Sequence, residues 1–250
     1  MPKIVVLAAG KGARMKSELP KVLTPLNGVP MVERLVRSIL GSGADKEPII
    51  VVSPENKRLV KSALKKYGCR YAVQDKQLGT GHALARAKDL LMGDTAKNII
   101  VFYGDHPLVR PKTIKKLAEA RVTAVSMMTV KLEDFNGWRK NFYHWGRVLR
   151  EGDEIKGIKE FKDANRRERE IKEVNPGFYR FDKGWLFRNI EKLKNNNKQK
   201  EYYLTDLIKI AVEQDIIIGS MPIDPREAIG VNSKEELKAA EKLKFAPADF

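Results

Sequence analysis

The stretch IVVLAAGKGARMKSELPK, residues 4–21, sets an apolar run directly against a loop holding two glycines, one arginine and three lysines. An unbroken apolar segment stopped by glycine reads as a short strand buried on both faces, the kind found in parallel sheets. The loop leaving such a strand lies where open α/β sheets bind ligands, outside the strands' carboxyl ends. Gly10 and Gly12 let the backbone turn tightly and bring its N–H groups close to a phosphate, because no Cβ obstructs the approach. The spacing fits neither the Walker loop nor the dinucleotide fingerprint, whose third glycine would stand where Met15 does. Arg14 can hold phosphate oxygens in a planar fork, and Lys21, fixed behind Pro20, can act as a point charge.

Outward from this stretch, the chain alternates through about residue 119. Apolar strands are expected at 3–8, 48–53, 70–74 and 98–103, separated by segments with helical spacing. Positions 31, 32, 35, 36, 39 and 40 form one apolar stripe, and Leu59, Val60, Ala63, Leu64 and Tyr67 form another. From residue 122 strand-like runs dominate, at 122–132, 145–149, 154–159 and 173–181, with helices expected at 183–194, 205–214 and 233–243. The pattern predicts an α/β fold: a Rossmann-like mixed, mainly parallel sheet flanked by helices, with antiparallel additions in the second half. The polar run KNNNKQK, residues 194–200, has no apolar anchor and reads as an exposed loop.

Composition narrows the function classes. With 42% hydrophobic residues in 250, the chain can bury a substantial core. No window reaches the roughly 18 apolar residues of a membrane span, and the apolar start is too short for a signal-peptide core, so a cytoplasmic protein is expected. A single cysteine, Cys69, excludes an internal disulfide and a cysteine-rich zinc site. The three histidines fall in three separate segments, which leaves oxygen ligands for any metal. The net charge of +16 is spread through the chain with acids interleaved, which argues for a solvated surface over a nucleic-acid stripe.

Several residues carry two readings. Asp105 follows an apolar strand, so it is placed either to meet Mg²⁺ or to make a turn before Pro107. Gln74 offers a donor and an acceptor to a pyrimidine edge, or is a surface glutamine, and Thr80 in the GTG of residues 79–81 can approach a base or cap a helix. Gly146, Glu160 and Asn175, taken alone, read as a strand glycine and exposed polar residues. His82 and His106 read as structural or rim residues.

The loop LAAGKGARM with the following PK resembles the signature of sugar-nucleotide pyrophosphorylases and related nucleotidyltransferases. QDKQLGTGHA (74–83), YGDHPLV (103–109), EFKDA (160–164), EVNPGFY (173–179), EYYLTD (201–206) and GVN (230–232) follow in order. Over essentially the whole chain they resemble the uridyltransferase domain of bacterial N-acetylglucosamine-1-phosphate uridyltransferases. The resemblance implies that Leu7, Ala8, Ala9, Gly10 and Gly12 wrap UTP, with Arg14 and Lys21 on its phosphates and Gln74, Gly79, Thr80 and Gly81 at the base. It implies Tyr103, Gly104, Gly146, Glu160 and Asn175 around the amino sugar, and Mg²⁺ on Asp105 and Asn232. Without the family, Asn232 reads equally as a cap for the helix beginning at residue 233. The partners implied are UTP, N-acetylglucosamine 1-phosphate and pyrophosphate. One domain is expected, with a nucleotide half (1–120), a sugar half (121–232) and a terminal helix (233–250). No hexapeptide-repeat acetyltransferase domain follows Phe250, so a free-standing or truncated form is expected.

Two departures bear on the sugar. Pro176 stands where the family usually has threonine, removing a donor and a hydroxyl. Residues 135–145, FNGWRKNFYHW, are longer and more aromatic than the family's turn, and read as a flap over the sugar, as a contact surface, or as packing against the sheet. The rival readings are a nucleotidyltransferase for another base or sugar, such as a cytidylyltransferase, and a basic binding protein without turnover.

Overall fold

Strand β1 (Lys3–Leu7) is buried along its whole length in the computed structural model, which describes residues 1–12, 15, 17, 19–120 and 123–243. Its side chains alternate between two cores. Val5 and Leu7 enter one apolar cluster, and Ile4 and Val6 enter the other on the opposite face of the sheet. A strand with no solvated face must be apolar at every position, which is why IVVL shows no period of two.

A small hairpin, β2 (Pro25–Leu26) and β3 (Val29–Pro30), leads into α1 (Met31–Gly41). Then come β4 (Ile49–Val52), α2 (Lys57–Ala63), β5 (Arg70–Val73), α3 (Thr80–Ala85), α4 (Lys88–Met92), β6 (Asn98–Tyr103) and α5 (Pro111–Ala118). β5, β4, β1 and β6 pair parallel in that order. Val32 and Leu35 of α1, Val60 of α2 and Ile114 and Leu117 of α5 cover one face. Ala83 and Leu84 of α3 and Leu91 of α4 cover the other. Helices on both faces with strands in parallel are the layout that the alternation predicts.

The second half is mainly antiparallel, as expected. It comprises β7 (Val125–Lys131), β8 (Arg147–Glu151), β9 (Glu154–Lys159), α6 (Arg166–Arg169), β10 (Glu173–Val174), β11 (Tyr179–Asp182), α7 (Lys183–Asn189), α8 (Asp206–Glu213), β12 (Gly219–Pro222) and α9 (Lys234–Lys242). β11 lies antiparallel between β6 and β7, while β10 pairs antiparallel with β7 and β8. The β8–β9 hairpin extends the sheet, and β12 joins β7 parallel. A third apolar cluster, including Met15, Phe142, Val174, Ile229 and Val231, fills the space beneath residues 135–145.

Two expectations need correction. The run 173–181 is not one strand: it breaks between Val174 and Tyr179, because Pro176 has no N–H for the ladder and Gly177 sits at φ +80°. A Cβ on Gly177 would collide with the ring of Tyr103, so the chain leaves the sheet where β6 ends. The helix expected over 183–194 stops at Asn189, whose amide nitrogen donates back to the Trp185 carbonyl at 2.8 Å, and a tighter turn follows over Ile190–Lys192. No helix among the described residues is long and apolar enough to cross a membrane.

Candidate active site

A cleft opens at the carboxyl ends of β1 and β6. Its larger lobe, about 560 Å³, is bounded by Leu7, Ala9, Gly10, Lys11, Lys21, Gln74, Gln77 and Gly79 among others. A second lobe of about 330 Å³ runs on past His106, His144, Trp145, Gly146, Glu160, Asn175, Pro176 and Asn232. The two share a wall of Thr80, Tyr103, Asp105 and Glu201.

At the junction stands one cation between two oxygens. The Lys21 ammonium donates to Asp105 Oδ2 at 2.5 Å and to Asn232 Oδ1 at 3.0 Å, joining residues 84 and 211 positions away. Lys21 opens a short turn (Lys21–Leu23) behind Pro20, and Gly12, at φ +63°, packs so closely on the Lys21 side chain that a Cβ would collide with it. The glycine therefore lets the loop cross over its own lysine. Asp105 leaves the end of β6, where the Gly104 N–H donates to the Leu7 carbonyl at 2.9 Å and closes β6 onto β1. Burial raises the Asp105 carboxyl, but the Lys21 ammonium, the His106 ring and the Lys21 hydrogen bond outweigh it and hold it below the usual carboxylate range.

Asn232 comes from 126 residues downstream of His106, yet its segment is tied down to that neighbourhood. The Val231 N–H donates to the Asp105 carbonyl at 2.9 Å, and His106 Nδ1 donates to the Ala228 carbonyl at 2.8 Å. The Arg110 main chain donates to Glu227 Oε2 at 3.0 Å, and its guanidinium pairs with the same carboxylate. Ser233, not Asn232, caps α9: its hydroxyl accepts from the Glu236 N–H at 3.2 Å. The Asn232 side chain is thus left to face Lys21. His106 is buried against Phe178 and Trp145, and burial holds its imidazole below the ordinary value.

The motif around Gly79 is joined to EYYLTD. Gly81 N–H donates to the Tyr202 carbonyl, Tyr202 N–H donates to the Leu78 carbonyl, both at 2.8 Å, and the Thr80 hydroxyl accepts from the Leu204 N–H at 3.0 Å. Thr80 is accordingly neither a helix cap nor a free hydroxyl. Gln74, 3% exposed, directs its amide nitrogen to the Gly79 carbonyl at 3.0 Å.

In the second lobe Asn175 is held at both ends, its nitrogen on the Tyr179 hydroxyl at 2.5 Å and its oxygen on the Gly177 N–H at 2.9 Å. Glu160 accepts from the Thr205 hydroxyl at 3.0 Å, and burial raises its carboxyl. Burial likewise raises the Tyr103 phenol, which stays neutral between the lobes. Residues 135–145 are packed and also reach the cleft. Phe142 is fully buried, with Trp145 edge-on to it at 4.7 Å, while His144 and Trp145 line the lobe. Arg147, fully buried, anchors the segment: its guanidinium donates to the Tyr143, Trp145 and Arg169 carbonyls and lies 4.8 Å from the Phe135 ring.

Of the residues singled out from sequence, Leu7, Ala9, Gly10, Lys21, Gln74, Gly79, Thr80, Tyr103, Asp105, Gly146, Glu160, Asn175 and Asn232 line the cleft. Ala8, Gly12, Gly81 and Gly104 shape its walls from behind. Arg14 lies outside the described residues. Lys11, Gln77, Glu201, His144, Gln199 and Tyr203 also line the cleft, and sequence reasoning alone does not assign them to it. Glu201 and Tyr203 sit inside the EYYLTD motif, which is the signal in the sequence that points to them.

Asp105 and Asn232 present a carboxylate and an amide oxygen to a single positive charge, with the Lys21 ammonium standing where a cation would sit. That hard-oxygen pair suits a divalent ion that takes its remaining ligands from phosphates and water.

β1 is flanked by β4, reached first, and by β6, reached after the chain doubles back, so the larger lobe lies at the topological switch point of the parallel half. A Rossmann-like sheet with this cleft belongs to the nucleotidyltransferase class. Residues 4–171 match the MobA-like NTP transferase domain, and the chain belongs to that family. It is similar to the bifunctional protein GlmU of Clostridium perfringens strain ATCC 13124, 37% identical over 96% of this chain and 51% of the relative. It is likewise similar to GlmU of Clostridium novyi, 40% identical over 96% of this chain and 51% of the relative. For GlmU of Desulfotalea psychrophila the values are 36%, 96% and 69%. The chain spans about half the length of the two clostridial relatives.

Proposed function

We propose that the chain transfers a uridylyl group from UTP to N-acetylglucosamine 1-phosphate, releasing pyrophosphate. The observation that carries this reading is the junction of the two lobes, where Lys21 of the larger lobe bonds Asp105, common to both, and Asn232 of the smaller, a place where a nucleotide's phosphates and an acceptor phosphate would be brought together. Residues up to about 120 hold the nucleotide and residues 121–232 the sugar.

A phosphate oxygen of the acceptor attacks the α-phosphorus in line. The new P–O bond forms as the bond to the bridging oxygen of the β-phosphate breaks, and that electron pair leaves with pyrophosphate. The chain supplies positioning and charge. Lys21 offsets charge at the reacting phosphates, and Arg14, which the loop motif assigns, meets the departing pyrophosphate. Asp105 and Asn232 would hold Mg²⁺, which neutralises phosphate charge when bound. Gln74 faces the base. Asn175, Glu160 and the Gly146 main chain orient the sugar. Tyr103, kept neutral by burial, separates base from sugar without adding charge.

Pyrophosphate release tests the proposal, with each of the four nucleoside triphosphates crossed against N-acetylglucosamine 1-phosphate and other sugar 1-phosphates. UTP with N-acetylglucosamine 1-phosphate should give the highest kcat/KM. A higher value with CTP, or with another sugar phosphate, would replace the assignment by a sister activity, and no turnover with any pair would leave a binding protein.

A further inference from the structure

We propose that His82 sets the choice of base by locking the Gln74 side-chain amide with its oxygen turned into the nucleotide lobe. The inference rests on the reading that this lobe holds a pyrimidine nucleotide. Gln74 follows the end of β5, and its main-chain N–H is held by the Val52 carbonyl at 2.8 Å. Its side-chain nitrogen lies 3.0 Å from the Gly79 carbonyl and 3.0 Å from His82 Nδ1. A main-chain carbonyl can only accept, so the atom facing Gly79 is the NH₂ group. Its second hydrogen then goes to His82, whose Nδ1 is the accepting lone pair and whose ring proton is on Nε2. Both amide hydrogens are spent. The oxygen, Oε1, accepts no hydrogen bond among the described residues, and Gln74 lines the larger lobe.

An acceptor fixed at this point matches a ring edge that presents an N–H, as N3 of uracil does. It opposes the N3 lone pair of cytosine. A flipped amide would reverse the preference, and two acceptors resist the flip: the Gly79 carbonyl and His82 Nδ1, each of which would then face Oε1. Remove the second and the barrier to reading the wrong edge falls. His82 lines neither lobe, so it acts through Gln74 as a positioning residue. Its surroundings favour the neutral ring that the lock requires. Burial and the Arg86 cation lower the imidazole, against the opposing pull of Asp75 and the Lys76 main chain.

The test is the ratio of kcat/KM for UTP to that for CTP in the parent and in His82→Leu, His82→Ala and His82→Asn, with thermal unfolding run alongside. Asparagine can place an oxygen acceptor near the position of Nδ1, so it should keep the parent ratio. The two apolar variants should lower the ratio about tenfold, the effect of one lost discriminating hydrogen bond. His82→Ala, which adds no volume, carries the test if the leucine variant fails to fold. A merely structural role would depress both nucleotides together and leave the ratio alone. If the parent prefers UTP and the ratio stays within about twofold in both apolar variants, or falls as far in His82→Asn, the inference is overturned while the base reading stands. A parent that uses the two nucleotides equally overturns the base reading and this inference with it.

Discussion

Replacing Lys21 by methionine removes the positive charge that, among the described residues, bonds both Asp105 and Asn232. The two charged side chains are 15% and 12% exposed, and their atoms stand 2.5 Å apart. Removing one partner of a well-buried ion pair costs about 3–5 kcal/mol, because the other charge is left in low dielectric. Here water reaches a fraction of each group, so about 2–3 kcal/mol of destabilisation is expected. At about 2–4 °C per kcal/mol for a chain of this size, the melting temperature should fall by about 4–12 °C. Magnesium then gives the sharper comparison. In the parent a divalent ion must displace the ammonium from Asp105 and Asn232, whereas in Lys21→Met those oxygens are open to it. Binding at 100 times Kd stabilises by about 2.7 kcal/mol, so titrating Mg²⁺ without nucleotide should raise the variant's melting temperature more than the parent's. Differential scanning calorimetry across that titration reads both effects. A variant as stable as the parent in the absence of metal, or one that gains no more from Mg²⁺, would refute the idea that Lys21 stands in for the cation.

Gly177→Ala forces an L side chain to φ +80° and into the ring of Tyr103. It should cost about 2–5 kcal/mol by urea unfolding, summing backbone strain and overpacking, and should raise KM for both substrates because Tyr103 borders both lobes. Arg147→Met leaves the Tyr143, Trp145 and Arg169 carbonyls without their donor. We expect at least about 3 kcal/mol of lost stability and a larger rise in KM for the sugar phosphate than for UTP, with no rescue by lysine, which lacks the planar fork. Discrimination between UTP and CTP should be flat at neutral pH and fall only in acid. The folded His82 ring titrates below its ordinary 6.5, and protonation turns Nδ1 into a donor facing the Gln74 NH₂. Loss of discrimination beginning above pH 6.5 would contradict that assignment.

Three of the four parallel strands, β1, β4 and β6, were legible because they are buried on both sides. IVVL, IIVV and IIVFY each announce themselves by unbroken apolar content, and their strands' observed ends lie within a residue or two of the expected ones. Edge elements carry no such signal. β12, GSMP, pairs along one side of β7 with neither alternation nor β-branched residues, and nothing in its composition separates it from a loop. The break at residues 175–178 was foreshadowed by Pro176 and Gly177, but EVNPGFY also reads as one strand until the Tyr103 ring is seen filling the space against Gly177. Within the cleft, motif residues could be grouped by chemistry. What a single sequence could not give is the partner of each. That the Thr80 hydroxyl is taken by Leu204, or that Ser233 relieves Asn232 of capping, depends on contacts 124 residues apart in one case and on a rotamer choice in the other.

The wall common to the two lobes has a consequence for how such a protein can diversify. Thr80, Tyr103, Asp105 and Glu201 each border both lobes, so a change there alters both at once; on the proposed reading, an improvement for donor or acceptor is exposed to loss in the other. His144, Pro176, Gln199 and Tyr203 border the smaller lobe alone. Libraries aimed at new acceptors should therefore be confined to those four, where variation is uncoupled from the donor.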